Sequence, residues 1–202
     1  MTRPSNPVLD TLATARSARY LTTDEVDDDL VEALLFAATR ASNPGNSQPW
    51  DFVVVRDPAK RRAIADAIAT AMGDRLSMPP PEDPVVHRTL AGARHLVANL
   101  AEAPVLIFVC GRMIYPLERP SRDWMLSACY AAAQNLLVAA RSLGLGTSFT
   151  TVHQLALDEV RAVLGVPDDV EVTVTMPTGW PAQPFGELAR RPLAEFVHLD
   201  GW

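Results

Sequence analysis

Residues 42–50 read Ser42-Asn43-Pro44-Gly45-Asn46-Ser47-Gln48-Pro49-Trp50, a polar turn between an apolar helical pattern and the strand-like run 51–55. A turn needs only to reverse the chain, but this one carries three side-chain amides, two hydroxyls and an indole. That hydrogen-bonding capacity suits a planar ligand with heteroatoms along its edge. The alternative is a proline-punctuated loop whose amides satisfy their own backbone. The turn by itself favours neither interpretation.

The composition of the chain is that of a folded globular domain. It has 202 residues, of which 48% are hydrophobic and 21% charged. The net charge of −6 argues against a nucleic-acid surface, so small molecules or proteins are the expected partners. Cys110 and Cys129 lack metal-ligand spacing and are predicted to be reduced core residues. Reduced cysteines are typical of the cytoplasm, so we expect a cytoplasmic protein. No run approaches the roughly 18 apolar residues of a membrane span.

The first half of the chain alternates helical and strand patterns. Apolar spacing predicts helices at 27–41, after the cap Asp57-Pro58, and at about 84–100, with a strand at 52–55. Residues 78–84 contain four prolines, which predicts an exposed linker or a lid over a site.

The second half is built around a continuous apolar run. Residues 104–110 predict a central strand covered on both faces. The alanine-rich helix predicted at 121–143, with Gly144 at its end, fits burial within one chain and a subunit interface equally well.

Shorter elements follow that helix. We expect a strand at 147–151, a helix at 157–164, a strand at 170–176 and an edge strand at 195–199. The proline-rich segment that starts at 177 is long for a loop unless it wraps another surface. No break in composition divides the chain, so residues 1–202 are predicted to form one domain of mixed helix and strand.

Arginine-containing segments lie near both ends. Arg16-Ser17-Ala18-Arg19 offers guanidinium groups and a hydroxyl, which are donors suited to phosphate, and Arg190-Arg191 offers two more guanidinium groups. Each segment alone is also compatible with a solvated surface. The segment 144–147 follows a helix, so its glycines first indicate a helix end and a turn. The backbone of 149–151 would then be free to present amides to a ligand.

Catalytic side-chain arrangements are sparse. The four histidines are scattered without metal-ligand spacing and are predicted to be surface or helix residues. The sequence contains no Gly-x-Ser-x-Gly elbow and no Walker loop. We therefore expect no metal site and no catalytic side chain, but a cofactor that carries the reaction itself.

Four segments in order make the chain resemble the FMN-dependent nitroreductase family: 16–19, 46–50, 144–147 and 190–193. The resemblance covers nearly the whole chain. It implies an α+β fold with a central, mostly antiparallel sheet flanked by helices, assembled as an intertwined homodimer with two FMN sites at the interface. A C-terminal arm, about 177–202, would pack on the partner subunit.

The resemblance also implies which residues contact FMN. Phosphate and ribityl contacts from one subunit would come from Arg16, Ser17 and Arg19, joined by Arg190 or Arg191. Contacts from the other subunit would come from Ser42, Asn43, Pro44, Asn46 and Gln48. The backbone beside the ring, with an amide hydrogen-bonded to flavin N5 or O4, would be that of Phe149, Thr150 and Thr151.

Three positions depart from the family pattern. Many relatives have a further Arg at the position of Ala15, a Pro at Ser42 and, in one branch, a Glu-Gly pair near Thr151-Val152. The resemblance therefore does not identify which amide faces flavin N5, and it does not assign a role to Ser42.

The activity implied is transfer of hydride from NAD(P)H, through the flavin, to a small acceptor such as a nitroaromatic or a quinone. Two alternatives remain: a specialised family member, such as a reductive dehalogenase or ring oxidase, and a non-catalytic protein that binds or stores flavin. The sequence identifies neither the acceptor nor the choice between NADH and NADPH.

Overall fold

A computed structural model describes residues 6–79 and 82–202. Pro80 and Pro81, in the middle of the predicted linker, and residues 1–5 of the predicted domain lie outside the described residues. The helices are α1 Pro7–Thr14, α2 Asp28–Ala38, α3 Pro58–Met72, α4 Pro84–Ala98, α5 Arg122–Ser142 and α6 Leu157–Leu164. The strands are β1 Trp50–Val55, β2 Val105–Arg112, β3 Gly146–Thr147 and β4 Val170–Gly179.

The sheet is antiparallel, with the strand order β1-β2-β4-β3. Strand β2 pairs on both edges, and all of its residues except Arg112 are buried. The continuous apolar run therefore forms a central strand covered on both faces, as predicted. Together with the flanking helices, this sheet confirms the predicted α+β class.

Alternation along β2 separates two hydrophobic cores. Val105, Ile107 and Val109 face a core that contains residues of α2 and α5. Leu106 and Phe108 face the opposite core, which contains residues of α3 and α6. The period of two along a strand thus places a helical layer on each side of the sheet.

Alanines make α5 the close neighbour of α2 and the sheet. Ala128, Ala132 and Ala140 are completely buried, and small side chains let helices approach closely. Trp124 and Tyr130 of the same helix remain 46% and 40% exposed. One side of α5 therefore belongs to the core of the chain, while another presents aromatic rings to the surface.

Several helix ends follow from local chemistry. The Asp57 carboxylate accepts a hydrogen bond from the backbone N of Ala59 at 2.8 Å, which caps α3 as predicted. Gly144 follows α5 with a φ of 80°, a conformation that glycine adopts at little cost.

No helix in the described ranges is long and apolar enough to cross a membrane.

Two strand predictions were wrong in extent or kind. The strand expected at 147–151 is limited to Gly146–Thr147, with an isolated bridge from Thr150 to Thr175. Residues 195–199 form no edge strand, because Leu193–Glu195 is a 3₁₀ turn and exposed irregular backbone follows it. The alternating pattern there has no strand beside it to pair with in this chain.

Candidate functional site

The first and third motifs meet in the folded chain. The backbone N of Ala18 donates to the carbonyl of Thr147 at 2.9 Å. The Ser17 hydroxyl accepts a hydrogen bond from the backbone N of Phe149 at 3.1 Å. A Cβ on Gly146 would lie 2.9 Å from the side chains of both Ala18 and Leu21, so only glycine allows this approach without displacement. The second glycine of 144–147 therefore serves packing between the motifs.

A cleft of about 410 Å³ opens beside this junction. Arg16 and Arg19 line one side, and Arg88 and Gly92 of α4 line another. Within the described chain the lining contains no carboxylate, and neither Arg16 nor Arg19 has an ion-pair partner. Unpaired guanidinium groups in such a cleft are suited to a phosphate. Arg88 is absent from the predicted FMN contacts, because it lies in an ordinary helical pattern without a motif.

A smaller cavity of about 140 Å³ adjoins the cleft at Arg19, which lines both. Ser148, Phe149 and Thr150 form part of its wall. The Ser148 hydroxyl is buried and has no hydrogen-bond partner among the described residues. A buried, unsatisfied hydroxyl is costly, so a ligand that bonds it would be favoured here.

Only one of the three amides expected beside the ring is available. The backbone N of Phe149 donates to Ser17, and that of Thr150 donates to the carbonyl of Thr175 at 3.1 Å. The backbone N of Thr151 has no partner in the described structure, and the residue is exposed. The pairing of its neighbours thus distinguishes Thr151 as the donor open to a ligand.

The turn 42–50 is held in an unusual conformation. Gly45, Asn46 and Gln48 have left-handed φ values of 60°, 50° and 46°, which is uncommon for residues other than glycine. A Cβ on Gly45 would collide with the ring of Tyr115, so the turn packs directly against that ring. The Asn43 side chain closes the turn by accepting from the backbone N of Gln48 at 2.8 Å.

Three further polar side chains of the turn have no partner in the described part of the chain. Ser42, Asn46 and Gln48 are exposed, and their side chains have no hydrogen-bond partner among the described residues. Pro44 is half-buried and opens the 3₁₀ turn Pro44–Asn46. The two interpretations of the turn therefore apply to different residues. The Asn43 side chain bonds to the backbone of the loop, while the side-chain amides of Asn46 and Gln48 have no partner in the described residues. No residue of 42–48 lines the cleft that contains Arg16 in this chain.

The two C-terminal arginines have different surroundings. Arg190 lines a second cleft, of about 690 Å³, together with Ala15, the residue that precedes Arg16 in the sequence. Arg191 lies over the ring of Phe196 at 4.2 Å and 3.5 Å from the Glu195 carboxylate. Arg190 is therefore the one that faces the N-terminal segment.

His153 differs from the prediction of a surface or helix residue. It lies in the 3₁₀ helix Val152–Ala156 but is completely buried, with Nδ1 2.8 Å from Thr175 Oγ1 and Nε2 2.9 Å from the carbonyl of Val172. Burial lowers the pKa of this imidazole, although the bond to Val172 opposes the shift. No spacing in the sequence signals this burial, because β4 supplies the partners.

The cysteines lie in the core, as predicted. Cys110 and Cys129 are both free and buried. Burial raises the pKa of each thiol to about 12. Neither side chain is available to the candidate site.

A model of the nitroreductase family matches residues 12–180. The chain belongs to this family, and hence to a class of oxidoreductases. It is 30% identical over 209 residues to an NADH dehydrogenase of Thermus thermophilus, with 95% of this chain and 96% of that protein covered. It is 32% identical over 188 residues to a 5,6-dimethylbenzimidazole synthase of Rhodospirillum rubrum, with coverages of 87% and 83%.

A solved structure confirms that the fold is shared. Oxidised iodotyrosine deiodinase, bound to FMN and 3-iodo-L-tyrosine, matches with a TM-score of 0.79. The match covers 96% of this chain and all of that one at 20% identity, which is evidence for the fold alone.

Proposed function

We propose that the protein is an FMN-dependent oxidoreductase that passes hydride from NADH or NADPH to a small acceptor such as a nitroaromatic or a quinone. The observation that carries this proposal is the cleft in which Arg16 and Arg19 face no carboxylate. Family membership supports it, as do a relative named as an NADH dehydrogenase and a neighbour of the same fold that holds FMN.

The donors of this chain fit FMN. Arg16, Arg19 and Arg190 would hold the phosphate, with Ser17 fixing the backbone beside it. The unpaired amide of Thr151 would donate to N5 or O4, and the Ser148 hydroxyl would gain a partner on the same ligand. When bound, FMN accepts and releases the hydride, and the protein positions the ring and stabilises developing negative charge with these donors.

A second copy of the chain would complete the site. Ser42, Asn46 and Gln48 have free side chains but lie away from the Arg16 cleft of their own chain. Both the free side chains and their position would be explained if the turn of each chain contacted the cleft of a partner subunit. We therefore propose a homodimer with two such sites.

The C-terminal segment supports the dimer. Its first part hydrogen-bonds to the N-terminal segment of the same chain, with the backbone N of Leu188 bonded to the carbonyl of Ala13 at 3.0 Å. Residues 189–202 are all exposed and include Leu193, Phe196 and Trp202. The part of the arm that we propose to cover a partner therefore begins after Leu188.

Purification and anaerobic reduction test the function. The protein should be yellow, or gain a visible flavin band with added FMN, and NADH or NADPH should bleach that band. A protein that binds no FMN would rule out the proposal. FMN binding without bleaching by either nucleotide would favour the non-catalytic alternative.

A second candidate is a specialised flavin enzyme of the same family, such as a ring oxidase or reductive dehalogenase. The Rhodospirillum rubrum relative supports it, because that protein is named as a synthase. Reoxidation of the reduced protein separates the candidates. Rapid reoxidation by nitroaromatics or quinones supports the reductase, and selective reoxidation by halogenated aromatics supports the dehalogenase.

A further inference from the structure

Arg88 is a third cation on the wall of the cofactor cleft. It projects from α4 into the same 410 Å³ cleft as Arg16 and Arg19, although it is distant from both in sequence. Its side chain is exposed, and it has no ion-pair partner among the described residues. Arg88 is therefore available to a ligand in that cleft.

Arg19 packs against α4, the helix that carries Arg88. A Cβ on Gly92 would lie 3.1 Å from Cδ and 3.7 Å from a terminal guanidinium nitrogen of Arg19. Gly92 follows Arg88 by one helical turn, a rise of roughly 6 Å. Arg19 and Arg88 thus line one cleft without a carboxylate in the lining to compensate their charges, an arrangement that an anion stabilises.

The phosphate of FMN does not need Arg88. A phosphate monoester carries about two negative charges at neutral pH, and the two guanidinium groups of Arg16 and Arg19 in this cleft already match them, with Arg190 lining the second cleft. We propose that Arg88 binds an anionic group, phosphate or carboxylate, on the second substrate that enters this cleft. This inference rests on the proposed function, and it makes Arg88 a specificity residue of the same site.

Two sources supply that chemistry, and matched ligand pairs distinguish them. NADP⁺ differs from NAD⁺ by one phosphate, and 4-nitrobenzoate differs from its methyl ester by one negative charge. Each ligand would be titrated into the oxidised, FMN-loaded protein, with flavin fluorescence as the readout of equilibrium binding. The variants are R88A, R88K and the control R94A, because Arg94 lies on α4 but donates to the carbonyl of Met78.

We expect wild-type protein to bind the charged member of at least one pair about tenfold or more tightly than its neutral counterpart. R88A should abolish this preference, R88K should retain part of it, and R94A should retain all of it. A preference within the nucleotide pair assigns the phosphate of NADPH, and one within the nitrobenzoate pair assigns an acceptor carboxylate.

Two results would overturn the inference: R88A weakens both members of each pair equally, or it weakens FMN binding as much as R16A does while the preference persists. The readout needs no turnover. A preference that depends on Arg88 would therefore stand even if NADH failed to bleach the flavin, and the proposed function can survive when the preference is absent.

Discussion

Unpaired side chains define the site at the scale of single residues. Arg16 and Arg19 share a cleft without a carboxylate, and the Ser148 hydroxyl is buried without a partner. A folded chain normally pairs a buried hydroxyl such as that of Ser148. Ser148 lines the smaller cavity that adjoins the arginine cleft, and the FMN that we propose to bind there would supply the missing partners.

Replacing Arg16 or Arg19 with alanine should weaken FMN binding. A hydrogen bond to a charged group contributes roughly 1.5–3 kcal/mol, so each variant should raise the Kd about tenfold or more. Fluorescence titration of the apoprotein measures this. R62A is the control, because Arg62 forms an exposed pair with Glu102 outside the cleft. Unchanged FMN affinity in both arginine variants would refute their role.

The buried His153 should make stability depend on pH. Its pKa is lowered by burial from the ordinary value of 6.5, so the unfolded chain binds a proton that the folded chain excludes. The contribution of the neutral His153 to the free energy of unfolding is therefore fully present above pH 6.5, and it is lost as the pH falls from there through the pKa of the folded state.

H153Q should flatten this dependence. The slope contributed by one histidine is at most about 1.4 kcal/mol per pH unit, and denaturant unfolding at several pH values measures it. H198Q is the control, because His198 is exposed. Equal slopes in wild type and H153Q would contradict the assignment.

The packing of the N-terminal segment on β3 positions the site at the scale of elements. Gly146 permits this packing, since a Cβ there would meet the side chains of Ala18 and Leu21 at 2.9 Å. The same contact fixes Ser17 beside the backbone of Phe149. The geometry of the cleft that contains Arg16 and Arg19 thus depends on a residue outside its lining.

G146A should weaken FMN binding by displacing the N-terminal segment. Overpacking of this kind costs roughly 1–3 kcal/mol, so we expect an increase in Kd of about fivefold or more and a lower thermal midpoint. G186A is the matched control for G146A, because a Cβ at position 186 would meet no atom within 4 Å. If G146A and G186A bind FMN equally well, the close approach does not position the site.

The sequence predicted elements wherever the pattern itself reports burial. The apolar run of β2 shows that both faces are covered, and Asp57 signals the start of α3 through its own side chain. Tertiary partners decided the rest. The left-handed Gly45 packs directly against Tyr115, and the failed edge strand lacked a neighbouring strand.

Many residues of the candidate site could likewise be predicted from the sequence, but their arrangement in space could not. The motifs supplied Arg16, Arg19 and the backbone of 149–151. Only the folded chain shows that Phe149 and Thr150 have used their amides, which leaves that of Thr151 available. Arg88 reaches the cleft through the placement of α4, which no local pattern encodes.

At the scale of the whole molecule, several large apolar side chains of the described residues are exposed, and the proposed dimer would cover those of the C-terminal segment. Leu117 and Leu199 are 83% and 85% exposed, and Trp202 is fully exposed. Removing residues after Leu188 should convert the proposed dimer to monomers of less than 22.0 kDa and weaken FMN binding at least tenfold. Sedimentation and fluorescence titration test both effects. A truncated monomer with undiminished FMN affinity would show that one chain suffices.

The buried cysteines make the wild-type chain a convenient background for site-specific labelling. With a thiol pKa of about 12, Cys110 and Cys129 are almost entirely protonated at neutral pH, and burial also shields them from reagents. A maleimide dye should therefore react with a cysteine introduced at an exposed position such as Leu199, without prior removal of the native thiols. Mass spectrometry should find one dye per L199C chain in buffer, none on the parent, and additional dye only after denaturation. Dyes placed this way would report by energy transfer when two copies exchange partners.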